Sequence, residues 1–353
     1  MGETVNRYRV AAVQAEPAWM DLAEGVAKTV KLLREASAAG ADLVAFPEVW
    51  LPGYPLFLWL DNVAAQADMV LNYHTSSARI DGPELEEICA AARESRIAVL
   101  LGFSERDGGS LYISQVLIDH RGEIVLHRRK LKPTHVERSL FGEGDGSDLA
   151  VVDTRLGRIG ALSCAEHLQP LSKYAMYAQN EQVHIASWPC FGLYRDVAYA
   201  FSPEANLAAS QVYSLEGGCY SLVSTQVISQ AWVERFAPSE QQRRLLSRGG
   251  GFARIFAPDG RPLTEPIPET EEGMVLADVD LDLISLAKNA FDPAGHYARG
   301  DATRLVHDRR PRRAVIVVHE PAVPDASPTA NDRTESPATA SAPQVATTQK
   351  EHP

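Results

Sequence analysis

The chain has 353 residues, 23% of them charged and 45% hydrophobic, the balance of a globular protein and not of a fibrous or largely unfolded one. Its 34 basic and 46 acidic side chains leave a net charge of −12, which argues against a nucleic-acid partner. No stretch approaches the roughly 20 apolar residues that cross a bilayer, so no membrane partner is expected. The N-terminus lacks a signal-peptide pattern, and Asn6 stands where a myristoylation signal wants Ser or Thr. Cysteines 89, 164, 190 and 219 are widely spread and form no C-x-x-C pair, so reduced thiols and a cytoplasmic location are expected.

In chain order, residues 8–14 read as a buried strand, because Val10, Ala11, Ala12 and Val13 are continuous. A helix follows over 21–38, with Leu22, Val26, Val30 and Leu33 at helical spacing and Gly40 stopping it. A strand at 43–47, a helix near 83–95 and a strand at 97–103 come next. Residues 112–119 and 123–129 read as two more strands, joined by His120, Arg121 and Gly122. Further strands are predicted at 158–164, 184–188, 220–227, 251–256 and 275–279, with helices at 171–179 and 203–215. This interleaving predicts an α/β fold in one continuous body, residues 1–320, and its local hairpins exclude a purely parallel sheet. The last 33 residues, 321–353, hold six prolines, many Ala, Ser and Thr, and no Leu, Ile, Met, Phe, Tyr or Trp. Such a composition cannot offset its ordering entropy, so this tail is expected to be disordered.

Three segments place polar residues where strands end, the usual location of sites in α/β proteins. Glu48, in Phe46-Pro47-Glu48, follows an apolar strand. It is either an ordinary strand-end glutamate or a poorly hydrated carboxylate whose raised pKa suits a general base. The segment 127–138 holds five cations, Arg128, Arg129, Lys130, Lys132 and Arg138, against one anion, Glu137. It reads as a solvated loop or an anion site, in which Lys130 could face a developing negative charge. Cys164 ends an apolar strand and precedes a helix, a setting that exposes a nucleophile beside amide donors. His167, three residues on, either partners the thiol or packs locally. Cys89 lies on a helical apolar face with Leu85, Ile88 and Ala92 and reads as core.

Phe-Pro-Glu at 46–48, Arg-Arg-Lys-Leu-Lys-Pro-Thr-His-Val-Glu-Arg at 128–138 and Cys-Ala-Glu-His-Leu-Gln-Pro-Leu at 164–171 resemble the three catalytic blocks of the nitrilase superfamily. The long Lys block and Leu-Pro-Gly-Tyr-Pro at 51–55 resemble its nitrilase branch most, and the resemblance extends over residues 8–305. It implies a four-layer αββα sandwich and a Cys-Glu-Lys triad at Cys164, Glu48 and Lys130, with Glu137 positioning the lysine and the substrate. It also implies Tyr54, Trp59 and Trp188 as aromatic pocket walls. Many nitrilases carry Trp after the cysteine; Ala165 stands there instead, as in arylacetonitrile-hydrolysing members, and widens the expected pocket.

The implied reaction is hydrolysis of a small-molecule nitrile to acid and ammonia through a thioimidate and a thioester, with amide as a possible by-product. It needs no metal and no organic cofactor. The alternatives are an amidase or carbamoylase using the same triad, and a non-catalytic filament-forming homologue. The resemblance further implies a homo-oligomer of dimers stacked into a spiral or filament.

Overall fold

A computed structural model describes residues 4–312 apart from Asp196. Among these residues the strands are β1 (Arg7–Ala15), β2 (Leu43–Ala45), β3 (Ala98–Asp107), β4 (Ser110–Ile118), β5 (Ile124–Arg129), β6 (Phe141–Gly142), β7 (Val151–Thr154), β8 (Gly157–Ser163), β9 (Val183–Trp188), β10 (Tyr220–Gln226), β11 (Arg254–Phe256) and β12 (Gly273–Asp280). The helices are α1 (Leu22–Ala38), α2 (Ala67–Thr75), α3 (Pro83–Ser95), α4 (Pro170–Tyr177), α5 (Pro203–Gly217), α6 (Gln230–Phe236), α7 (Glu240–Arg243) and α8 (Asp282–Ala290).

The strands run in the order β5-β4-β3-β2-β1-β10-β9-β8-β7, with β12 also on β1, β11 on β10 and β6 on β4. The six strands from β3 through β1 and β10 to β8 are parallel, and antiparallel hairpins form both ends. β1 and β10 pair only at Gln14–Thr225 and Ala15–Gln226, so the two halves are joined at one end and fold face to face. Strand alternation then sorts the side chains into layers. Val10, Ala12, Leu100 and Leu117 of one half meet Ile159, Ala161, Ile185 and Leu222 of the other. Their neighbours Ala11, Val13, Val99 and Leu101 face outward against Val26, Val30 and Leu33 of α1 and Leu85 and Ile88 of α3. Leu162 packs outward on Ala175 and Met176 of α4 and Tyr213 of α5. The result is the expected α/β fold, a four-layer αββα sandwich.

Local chemistry explains where elements begin and end. Asp21 caps α1 by accepting from the Glu24 amide, and Gly40, at φ +84°, turns the chain into β2. The strand predicted to 47 stops at Ala45. Beyond it the Phe46 carbonyl leaves the ladder to accept from the Ser187 and Ser224 hydroxyls. The strand predicted from 251 starts at Arg254, because Thr225 Oγ1 and Gln14 Oε1 capture the Phe252 and Ala253 amides. The short strands β6 and β7 and helices α2, α6, α7 and α8 carry no clear sequence signal. Among the described residues no helix is long and apolar enough to cross a membrane. The expected boundary at 320 and the tail 321–353 lie outside the described residues.

Candidate active site

The parallel strands all end on one side, and the loops leaving β2, β5 and β8 there bring Glu48, Lys130 and Cys164 together. Glu48 comes close to the sheet because Gly102 on β3 lacks a side chain: a Cβ there would lie 2.2 Å from the Pro47 carbonyl oxygen. Lys130 Nζ donates to Glu48 Oε1 and to Glu137 Oε2, both at 2.8 Å, and all three side chains are buried. Glu137 also accepts from the Thr134 amide and, at 2.7 Å, from the Tyr54 hydroxyl, which in turn accepts from Trp59 Nε1. Glu48 Oε2 has no partner although it is buried, which leaves one lone-pair-bearing oxygen free for chemistry.

Cys164 sits at φ +48°, a left-handed conformation that costs a non-glycine residue about 1–3 kcal/mol. Val49 at +45° and His135 at +48° are bent in the same way beside Glu48 and Glu137. The backbone is therefore strained at all three approaches to the site. Glu166 locks the cysteine turn to the lysine segment. It accepts from the Ser163 and Leu131 amides and takes Arg128 Nη2 on both oxygens.

Charge and burial tune these groups together. Burial pushes the Glu48 carboxyl up to about 8; Lys130 opposes the rise and Glu137 adds to it. Burial disfavours a charged Lys130, but Glu137 and Glu48 outweigh it and hold the ammonium well above its ordinary pKa. Burial also raises the Cys164 thiol, as do Glu48 and Glu137, while Lys130 and the Ala165 amide favour the thiolate. A base of raised proton affinity thus faces a thiol beside a permanent cation, which allows nucleophilic attack with proton shuttling.

A cavity of about 220 Å³ opens onto Cys164 and Glu137. Tyr54, Trp59 and Ala165 line it. Trp188 does not line it. As the last residue of β9 it points toward α5, where Nε1 donates to Ser210 Oγ and the ring stacks on His167 at 4.8 Å. The aromatic walls missed in the sequence are Phe191, Tyr194 and Phe201, the last two edge-on to Trp59. Their position just beyond β9, at the same end as Cys164, was the available signal. Gln226 was also missed; at the end of β10 it donates to the Glu48 carbonyl and accepts from the Tyr54 amide. His167 forms no pair with the thiol, since its Nδ1 meets the Cys164 carbonyl oxygen at 2.8 Å. A larger cleft of about 590 Å³ lies at the opposite ends of the strands, between 119–121 and 153–158. Its Arg121 and Arg158 are neutralised by Asp119 and Asp153, and it contains no cysteine.

An αββα sandwich with a buried thiol, a raised carboxyl and an ion-paired lysine at one strand end has the equipment of a cysteine-dependent hydrolase. The chain belongs to the carbon-nitrogen hydrolase family, whose model matches residues 9–289. It is 51% identical over 311 residues to an aliphatic nitrilase of Rhodococcus rhodochrous, covering 88% of this chain and 85% of that one. It is 48% identical over 321 residues to an arylacetone-specific nitrilase of Alcaligenes faecalis, covering 91% and 90%. The fold is also that of the C. elegans NitFhit protein, at a TM-score of 0.64 and 19% identity over 85% of this chain and 67% of that one.

Proposed function

We propose that this protein is a nitrilase that converts an arylacetonitrile-type nitrile to the carboxylic acid and ammonia. Cys164 is the nucleophile, Glu48 the proton shuttle, Lys130 the electrostatic partner and Glu137 the residue that holds Lys130. The observation that carries this reading is the unpartnered Glu48 Oε2 in a buried site where Oε1 is fixed by Lys130. Glu48 takes the thiol proton, sulfur bonds to the nitrile carbon, and the displaced π pair on nitrogen receives that proton, giving a thioimidate. A water loses a proton to Glu48 and adds to the carbon, and nitrogen is protonated in turn. The new hydroxyl then passes its proton through Glu48 to the amine, ammonia leaves the tetrahedral intermediate with its bonding pair, and the freed oxygen pair closes the thioester carbonyl. A second water releases the acid and returns the proton to sulfur. Lys130 and the Ala165 amide stabilise the negative charge of each addition.

The cavity supports the substrate class. Trp59, Tyr194, Phe201 and Phe191 offer flat apolar faces to an aryl group, and Ala165 leaves space beside the reacting carbon. The named relatives divide between an aliphatic and an arylacetone-specific nitrilase. Ammonia release from phenylacetonitrile, compared with release from phenylacetamide, tests the reading. Nitrile turnover well above amide turnover is expected, and amide turnover alone refutes it.

Assembly and location extend the reading. Leu171 on α4 and Val212 and Leu215 on α5 are exposed on adjoining helices, and so is Leu168 at the cavity rim. Pairing of two copies across this face, with stacking of the pairs into a spiral or filament, covers the apolar surface beside the cavity. Light scattering tests it, and an active species that stays monomeric contradicts it. Four free cysteines suit the reducing cytoplasm.

A further inference from the structure

A second chain of buried polar groups lies behind Cys164 and takes no part in the steps above. Glu181 Oε1 meets His184 Nδ1 at 2.8 Å, His184 Nε2 meets His167 Nε2 at 2.9 Å, and His167 Nδ1 meets the Cys164 carbonyl at 2.8 Å. Tyr213 closes the far end by donating to Glu181 Oε2 at 2.6 Å. Every member is buried. The space is built for it: a Cβ on Gly160 would lie 2.1 Å from Glu181 Oε1. Stacking fixes both rings, His184 on Tyr213 at 3.6 Å and His167 on Trp188 at 4.8 Å.

Counting protons gives the chain a direction. The Cys164 carbonyl has no proton, so His167 Nδ1 donates. Burial, His184, Arg128 and Lys173 all disfavour a protonated His167, although its bond to the Cys164 carbonyl favours one; the ring is neutral and its Nε2 is bare. His184 Nε2 therefore supplies the proton between the rings, and a further proton shared by His184 Nδ1 and Glu181 Oε1 completes the chain, its charge balanced by the Glu181 carboxylate. Each bond polarises the next toward the Cys164 carbonyl.

That carbonyl belongs to the same peptide plane as the Ala165 N–H, the amide that favours the Cys164 thiolate. We propose that Glu181, His184 and His167 are positioning residues that hold the Cys164–Ala165 peptide with its N–H aimed at the reacting sulfur and substrate atoms, from behind the nucleophile. Trp188 and Tyr213 serve this device by fixing the imidazole planes. The inference uses only the nucleophile of the proposed function and not the identity of its substrate.

The test reads the thiol directly. The rate of Cys164 carboxamidomethylation by iodoacetamide is followed against pH, with the other cysteines replaced by alanine, beside kcat and KM for phenylacetonitrile. His167→Phe removes the donor, so the alkylation midpoint moves to higher pH and kcat falls about tenfold or more while KM changes little. His184→Gln can still donate an amide proton to His167 Nε2 and keeps the wild-type midpoint, whereas His184→Leu moves it upward. Unchanged midpoints in both His167→Phe and His184→Leu overturn the proposal, even if melting temperatures fall. Should His167→Phe not fold, the His184 pair decides: equal midpoints for Gln and Leu refute it. If the variants show these alkylation shifts but the wild type hydrolyses no nitrile, the proposed function fails and this inference stands.

Discussion

Replacing Glu137 with Gln keeps the shape of the site and removes one negative charge from Lys130, and two effects of distinct sign follow. Lys130 Nζ loses one of its two charge-assisted bonds, the 2.8 Å contact to Glu137 Oε2. Bonds to charged groups contribute about 1.5–3 kcal/mol, and 1.36 kcal/mol is a tenfold change in rate, so kcat falls by roughly 10- to 100-fold. At the same time a like charge near Glu48 disappears. Glu137 helps to push the Glu48 carboxyl up to about 8, so its removal lets Glu48 ionise at lower pH. In the proposed role Glu48 takes the thiol proton only when ionised, so the wild-type kcat/KM is expected to rise as pH passes upward through about 8. In Glu137→Gln this rise moves to lower pH. Ammonia release is measured across about pH 5–10 with substrate below saturation, which reports the free enzyme. A slower variant whose rise stays in place or moves to higher pH refutes the coupling.

Other outcomes follow from the same geometry. Cys164→Ala abolishes nitrile hydrolysis with its melting temperature nearly kept, and turnover within about tenfold of wild type sinks the triad assignment. Cys89→Ala keeps activity and loses about 1 kcal/mol of packing against the α1–α3 layer, read by denaturant unfolding. Ala165→Trp fills space beside the thiol, so turnover of α-substituted arylacetonitriles falls far more than that of small aliphatic nitriles. Equal losses on both would show that position 165 does not shape the cavity. Glu105 is buried, which raises its pKa, but His127, Arg129 and Ser114 outweigh burial and hold the carboxyl down at about 2. A depressed carboxylate stabilises the fold above its ordinary pKa of 4.5, and that stability is lost as pH falls toward 2. Glu105→Gln is therefore less stable at neutral pH by about 2 kcal/mol, allowing for partial solvent screening, and the gap narrows below pH 4.5. A gap independent of pH refutes that account.

What was legible in the sequence depended on how local its cause was. β1, α1 and α3 were clear because their apolar spacing is set by neighbours in the chain, and α3 appears over the predicted span. The ends of β2 and β11 were not, since Ser187, Ser224, Thr225 and Gln14 reach across the fold to take over backbone groups there. Glu48, Lys130 and Cys164 could be singled out as strand-end polar residues, but their meeting rests on three loops far apart in sequence. Trp188 is implied as a cavity wall by the family resemblance alone; which face of β9 it occupies is decided by packing on α5. Glu166 and Glu181 gave no signal, because a buried carboxylate is recognised by the donors that surround it.

The layer between the two halves of the sandwich is apolar, and greasy surfaces set no fixed alignment. The hydrophobic effect that holds them together is itself non-directional. Yet Cys164 hangs from β8 on one half, and Glu48 and Lys130 hang from β2 and β5 on the other. At the catalytic end, alignment is set by the β1–β10 ladder and a few polar rivets: Ser187 and Ser224 on the Phe46 carbonyl, Gln115 on Ser187, and Gln226 on the Glu48 carbonyl. Sulfur-to-carboxylate spacing is thus governed by a handful of hydroxyls and amides, while the far larger hydrophobic layer supplies cohesion. Activity in this architecture is a vernier for the registry of two sheets, and mild perturbants that loosen the rivets will silence the chain well before it unfolds.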